Sequence, residues 1–177
     1  MRNIKKTVSQ EQKHNLDAPI SQEKIKTVIF QMEKNKILDL DGIPIEFYQE
    51  YWNEIKHMYM AFIQAVRVDM FPKGKNTSVI KIIYKKTGEC FLLTNYRPIS
   101  LINVDIKILC KVLANRLKYV LPTIIHQSQT AVFGRRIDQT IHTIRDLIEL
   151  ANENDEQAAF IFLDQEKAFD RVDHDFL

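Results

Sequence analysis

From Asp105 to Val120 the apolar side chains Ile108, Leu109, Val112, Leu113, Leu117 and Val120 return with helical spacing, and Lys107, Lys111, Arg116 and Lys118 fall largely off that face. A stretch patterned this way forms a helix with one buried and one solvated side, so it needs another element to pack against. Asp105 is placed to cap its start and Pro122 to stop it. Three more stretches share the rhythm. Ser21 can cap a helix with Ile25, Val28, Ile29 and Met32 on one side, ending near Asn35. After a turn at Asp41-Gly42, Pro44 suits a first helical turn, with Phe47, Tyr51, Ile55, Met58 and Phe62 in one stripe and Tyr48, Trp52, Tyr59, Ile63 and Val66 widening it. So broad an aromatic face reads as core covered on more than one side, not as a ligand box. The turn Gly134-Arg135-Arg136 leads into the last helix, through Ile137, Ile141, Ile144, Leu147, Ile148 and Ala151. Composition agrees: 4 Gly and 5 Pro in 177 residues that are 45% apolar favour long helices over a loop-rich β sandwich, in one domain or one domain with an appendage.

Elsewhere the period changes. After Phe71-Pro72-Lys73-Gly74, the run TSVIKIIY from Thr77 to Tyr84 is β-branched and aromatic, Thr87-Gly88 marks a turn, and NYRPISLIN from Asn95 to Asn103 can be extended with Pro98 near an edge. These segments predict a basic two-stranded finger. Residues 1–20 are polar and carry Pro19, which suggests a loosely ordered lead-in. An acidic loop from Asn152 to Gln157 precedes AAFIFL at Ala158 to Leu163, a nearly continuous apolar run of the kind found in a fully buried strand.

Net charge is +2, but it is partitioned. Lys and Arg match Asp and Glu at nine each in residues 1–66, outnumber them eleven to three in 67–119, and trail five to eleven in 120–177. A basic middle can meet a polyanion by releasing counterions, and an acidic end can hold divalent cations or simply be solvated. Other chemistries lack their parts. Cys90 and Cys110 form neither a CxxC pair nor a zinc cluster, the five histidines show no HExxH spacing, and no GxSxG or Gly-rich phosphate loop occurs. No apolar run approaches the roughly 18 residues of a membrane span, and the first residues lack a signal peptide's apolar stretch, so an intracellular protein is expected.

The apolar run ends in Asp164, where a strand terminus can present a carboxylate to a metal ion; alternatively Asp164 caps the turn formed by Gln165 to Phe169. Asp170, Asp173 and Asp175 read as caps or solvated charge. FLDQEKAFDRVDH at 162–174 resembles the first palm motif of the reverse transcriptases of LINE-type non-LTR retrotransposons, an apolar strand ending in Asp followed by x-x-Lys-Ala-Phe-Asp. NYRPISLINVDIKILCKVLANRL at 95–117 is similar to their fingers block, IIYKK at 82–86 to their Ile-Pro-Lys segment, and DGIPIEFYQEYW at 41–52 to the stretch before the fingers.

The resemblance implies an α+β fold with mostly helical fingers, a short basic β finger and the start of a right-hand polymerase palm. Its parts would be a lead-in at 1–20, a helical segment at 21–74, fingers with connecting helices at 75–157, and the first palm strand with its turn at 158–177. It implies template-directed DNA synthesis on RNA, with an RNA template, a DNA primer and deoxynucleoside triphosphates as partners, two Mg²⁺ ions as cofactor, and residence in the nucleus or cytoplasm within a retroelement ribonucleoprotein. By resemblance, Asp164 would ligate both metal ions and the carbonyl of Gln165 would help hold one. Phe169 would lie under the incoming sugar and exclude a ribose 2′-hydroxyl. Arg97 and Lys85 would approach the triphosphate or the template. Arg135 and Arg136 would lie near the template.

Departures from the family pattern set limits. The family's second acidic cluster, Phe/Tyr-x-Asp-Asp, is not found in these 177 residues, which contain no Asp-Asp dipeptide, so the chain is expected not to polymerise alone. KNKILDLDGIPIEFY at 34–48 lacks the family's Pro-Gly turn, and QTAVFGRR at 129–136 is one residue short and has no Pro, which weakens the template-side roles of Gly134, Arg135 and Arg136. Two other classes stand beside the polymerase fragment. One is a nucleic-acid-binding module without chemistry, resting on the basic middle and on Tyr84, Tyr96 and Arg97. The other is a helical interaction protein using bare apolar surface.

Overall fold

The computed structural model describes residues 7–39, 41–68, 70, 77–165, 168 and 171–176, in two compact units, Met1–His126 and Gln127–Leu177. Among the described residues six α-helices form, in chain order α1 Gln10–Asp17, α2 Gln22–Gln31, α3 Ile45–Glu50, α4 Trp52–Arg67, α5 Val104–Ile124 and α6 Ile137–Glu153. Between α4 and α5 lies an antiparallel ribbon of β1 Val79–Tyr84 and β2 Tyr96–Leu101, the one sheet among the described residues. The chain is thus mixed α and β, dominated by helix, and the predicted two-stranded finger is present.

In the first unit α2 is central, packing against α3, α4 and α5, while α1 lies on α5. Ile25 and Ile29 of α2 and Ile108 of α5 are fully buried, and Val28, Val112, Trp52, Tyr59 and Ile63 close around them. Burial of each such side chain contributes about 1.5–3 kcal/mol, enough in sum to offset the entropy of ordering short helices that would not persist alone. Polar groups then fix the helix ends. Ser21 Oγ accepts from Lys24 N, capping α2 as its sequence predicts, though the helix stops at Gln31 and not near Asn35. Gln49 of α3 donates to carbonyls at the end of α2, Ile29 O at 2.9 Å and Met32 O at 3.3 Å. Arg116 of α5 does the same for α1, donating to Leu16 O and Pro19 O.

Several expectations need correction. Within the stretch expected to be a loosely ordered lead-in, the described residues 7–20 hold a helix: Ser9 and Gln12 form a reciprocal capping box that starts α1, and Ile20 is buried. The helix after Pro44 is two helices meeting at Tyr51, and the stripe that is buried is Tyr48, Trp52, Tyr59 and Ile63, leaving Phe47, Tyr51 and Met58 exposed. The change of helical phase at Tyr51 lets α3 and α4 turn one common face to α2, and only that face is covered. The cap of α5 is Asn103 and not Asp105, which sits buried in the first turn with its carboxylate accepting from Ile106 N at 2.8 Å. Pro122 does not stop α5 where it stands but lies in its last turn, and the helix runs two residues further, to Ile124. Ala158 to Leu163 forms no strand and is exposed, with Leu163 at 92%, because among the described residues no strand pairs with it and nothing covers it.

At the centre of the aromatic layer, Tyr59 meets Tyr48, Trp52 and Phe62 at ring-centroid distances of 6.3, 6.1 and 5.6 Å. Its hydroxyl donates to Asp105 O at 2.7 Å, tying α4 to the first turn of α5. Burial, and then the nearby Asp105 charge, push the pKa of Tyr59 and Tyr48 well above the ordinary phenol value, so both stay protonated and Tyr59 keeps its donor. The Tyr48, Trp52 and Tyr59 side of the aromatic face is core, whereas the Phe47, Tyr51 and Met58 side, expected to be covered as well, is not.

Ile108→Ala is expected to lower unfolding free energy by about 2–5 kcal/mol, since the site is fully enclosed; denaturant titration followed by Trp52 fluorescence measures it. Glu46 gives a pH test. Its carboxylate accepts from Asn35 N at 2.6 Å, and that bond holds its pKa below the ordinary glutamate value. A depressed folded pKa contributes stability that is present above the ordinary value and lost as pH falls through the folded one. The stability gap between wild type and Glu46→Gln should therefore be open at neutral pH and close in acid.

Candidate nucleic-acid interface

The ribbon is built almost entirely from its own residues. Register pairs Val79 with Leu101, Lys81 with Ile99, Ile83 with Arg97 and Tyr84 with Tyr96, and the packing of the strands is chiefly on each other. Directly opposed residues share a face, so Lys81 and Arg97 are diagonal neighbours on one side, with Lys85 next in the alternation. The other side carries Ile80, Ile82, Tyr84, Tyr96 and Pro98. Pro98 is tolerated because both strands of a two-stranded ribbon are edges.

The eleven-residue link between the strands would be loose without internal ties. Lys85 Nζ donates to Thr94 O at 2.8 Å, Asn95 Nδ2 to Glu89 O at 2.9 Å, Tyr96 Oη to Cys90 O at 2.6 Å and Tyr84 Oη to Gly88 O. The tyrosine rings lie 5.4 Å apart and are half-buried by this arrangement, less free than the sequence implied. Gly88 has φ +72°, which favours glycine, and a Cβ there would stand 2.6 Å from Asn95 Nδ2, so it would displace the side chain that holds Glu89 O.

The candidate residues divide accordingly. Arg97 is exposed and, with Lys81, makes no ion pair with any described residue. Lys85 shares their face but spends one donor on the loop carbonyl of Thr94. Lys81 was not singled out from the sequence; only strand register places it beside Arg97. Arg135 Nη1 donates to Gln129 O at 2.8 Å, and Arg136 holds Asp138 through two contacts at 3.1 and 2.9 Å, so both arginines engage their own loop and helix start.

Asp164 and Gln165 are exposed and lie in no helix or strand, and Phe169 lies outside the described residues. Asp164 offers the hard oxygen that Mg²⁺ prefers, but one carboxylate is a small part of an octahedral set. Among the described residues no three His, Cys, Asp or Glu side chains gather where they could hold a metal ion. The described residues therefore do not by themselves fit a two-ion site. No helix of the described chain is long and apolar enough to cross a membrane.

Comparison with known proteins converges on one family. The model of the family described as reverse transcriptase (RNA-dependent DNA polymerase) matches residues 83–177, which hold most of the ribbon, α5, α6 and Asp164. The "Transposon TX1 uncharacterized 149 kDa protein" of Xenopus laevis is 38% identical over 172 residues, 96% of this chain and 13% of that protein. The "Probable RNA-directed DNA polymerase from transposon BS" of Drosophila melanogaster is 32% identical over 128 residues, 68% of this chain and 14% of that protein. The "RNA-directed DNA polymerase from mobile element jockey" of Drosophila funebris is 26% identical over 163 residues, 88% of this chain and 18% of that protein. This chain thus spans less than a fifth of each of these relatives. By the family match and these likenesses together, the chain belongs to the reverse transcriptase (RNA-dependent DNA polymerase) family, of the non-LTR retrotransposon type.

Proposed function

We propose that the chain is the fingers region and the opening of the palm of a retrotransposon RNA-directed DNA polymerase, and that it binds nucleic acid without polymerising on its own. The observation that carries this reading is the two-faced ribbon, whose unpaired Lys81 and Arg97 share one side. Cations held on a pinned scaffold and left without carboxylate partners lose little when they take up phosphates, and each contact releases condensed counterions. The surrounding segment 67–119 carries eleven Lys or Arg against three Asp or Glu, so the field around the ribbon is positive.

Asp164 is proposed as one metal-ligating carboxylate of the polymerase reaction, Gln165 as its neighbouring carbonyl ligand, and Phe169 as the ring that excludes a ribose 2′-hydroxyl. Support for these roles is their place in the x-x-Lys-Ala-Phe-Asp motif, within the segment that matches the family. A two-ion displacement needs carboxylates from more than one element to hold both ions, and Asp164 supplies one. Among the described residues Asp164 therefore stands without the further carboxylates that this chemistry needs, while the surface for binding is kept.

Two measurements test this. Single-stranded RNA should bind with a steep salt dependence that persists in EDTA, and Lys81→Ala with Arg97→Ala should reduce the slope of log K against log salt by about 1.4, with Asp164→Ala neutral. A slope unchanged by the pair would remove the ribbon from the interface. Primer extension with Mg²⁺ should be absent, and extension that disappears in Asp164→Ala would overturn the claim of inactivity.

A further inference from the structure

The two outer edges of the ribbon are not alike. Lys85 N donates to Asn95 O at 2.8 Å, so the backbone of Lys85 faces the partner strand. In an antiparallel ladder such pairs recur at every second residue, which makes Ile83 with Arg97, Lys81 with Ile99 and Val79 with Leu101 the bonded pairs. The backbone groups of Ile80, Ile82 and Tyr84 therefore point away from β2, and those of Tyr96, Pro98 and Ser100 away from β1. Pro98 has no N–H to offer, which blunts the outer edge of β2. The edge of β1 keeps a donor and an acceptor at each outward position, and the side chains of Ile80, Ile82 and Ile83 are exposed beside it. Among the described residues, β2 is the one strand that pairs with β1.

A second segment has the matching need. Ala158 to Leu163 is six residues long, as β1 is, contains no charge, Gly or Pro, and lies exposed in no helix or strand. Its flanks are acidic, with Asp155 and Glu156 before it and Asp164 after it, whereas Lys85 and Lys86 follow β1. Run antiparallel beside β1, the segment would bring Asp155 and Glu156 to the end where Lys85 and Lys86 stand.

We propose that the outer edge of β1 docks residues 158–163 of a second copy of this chain, which adds to the ribbon as a third, antiparallel strand. Main-chain bonds to Ile80, Ile82 and Tyr84 hold it, and apolar side chains of both strands meet on the faces of the enlarged sheet. Charge selects this occupant over another β1. Two ribbons edge to edge would bring together two segments that each carry eleven Lys or Arg against three Asp or Glu, whereas residues 120–177 carry five against eleven. Each copy holds one acceptor edge and one donor strand, so copies join head to tail.

Association of the full chain, followed by sedimentation over a range of concentrations and by site-resolved amide exchange, tests the proposal. As copies associate, exchange should slow at Ile80, Ile82 and Tyr84 but not at Tyr96 or Ser100. Ile82→Pro removes an N–H that the ribbon does not use and should weaken association by about 10-fold, while Ser100→Pro, its counterpart on β2, should leave it unchanged. Phe162→Lys, at a position 85% exposed and outside the first unit, should cost about 10- to 100-fold and guards against a folding defect in the β1 variant. Glu156→Lys should cost about 2- to 5-fold, and Lys86→Glu in the same chain should restore it. A chain that stays monomeric at its highest soluble concentration, or association that Ile82→Pro leaves intact or Ser100→Pro weakens equally, would overturn the docking edge. Association untouched by Phe162→Lys would give the edge to another strand, such as a second β1, and overturn the occupant. Slow exchange at the outward β1 amides that does not vary with concentration would overturn the pairing of copies.

Discussion

Three side chains on one face of α2, Ile25, Val28 and Ile29, hold the first unit together. Ten residues are too few for a stable isolated helix, so α2 exists because that face is covered by α3, α4 and α5. The dependence runs both ways. α3 and α4 share an aromatic layer that α2 roofs, and α5 lays Ile108 into the same space. Because α5 is oriented there and tied by Tyr59 to its first turn, the exit of β2 is set two residues upstream. The candidate binding surface is exposed, but its placement is inherited from buried hydrocarbon.

The ribbon solves a different problem. It has no helix laid across either face, so it cannot rely on the core for shape, and two strands alone are marginal in water. The loop hydrogen bonds from Lys85, Asn95, Tyr84 and Tyr96 replace the missing cover. That construction leaves Lys81 and Arg97 in solvent on a defined scaffold. An exposed cation on a rigid element loses less rotational freedom on binding than one on a flexible tail, which favours phosphate contact at modest cost.

Helical periodicity was legible wherever burial is one-sided: Ile25, Val28 and Ile29 are core as their spacing predicts, and β1 and β2 sit where β-branched runs meet turn residues. What escaped the sequence depends on geometry that spacing does not encode. Both stripes of the Pro44 segment are apolar, so the choice of Tyr48, Trp52, Tyr59 and Ile63 over Phe47, Tyr51 and Met58 was settled only by the break at Tyr51. α1 carried a readable signal in the Ser9 and Gln12 capping box, which its polar composition masked. For the candidate site, Arg97 and Lys85 could be named from motif likeness, but Lys81 needed the strand register.

The second unit shows the same physics from the other side. α6 has the amphipathic pattern its sequence promises, yet none of its residues is buried, and Ala158 to Leu163 lies in no helix or strand and is exposed. Apolar faces of this size are seldom left in water by a finished domain. Their pattern fits a strand and a helix that become core only against further elements, just as α2 becomes core only against its three neighbours. Asp164 follows from that dependence. A carboxylate gains a fixed position from the strand that presents it, and without ladder partners for residues 158–163 it has the right donor chemistry but no frame to share a metal ion with other acids.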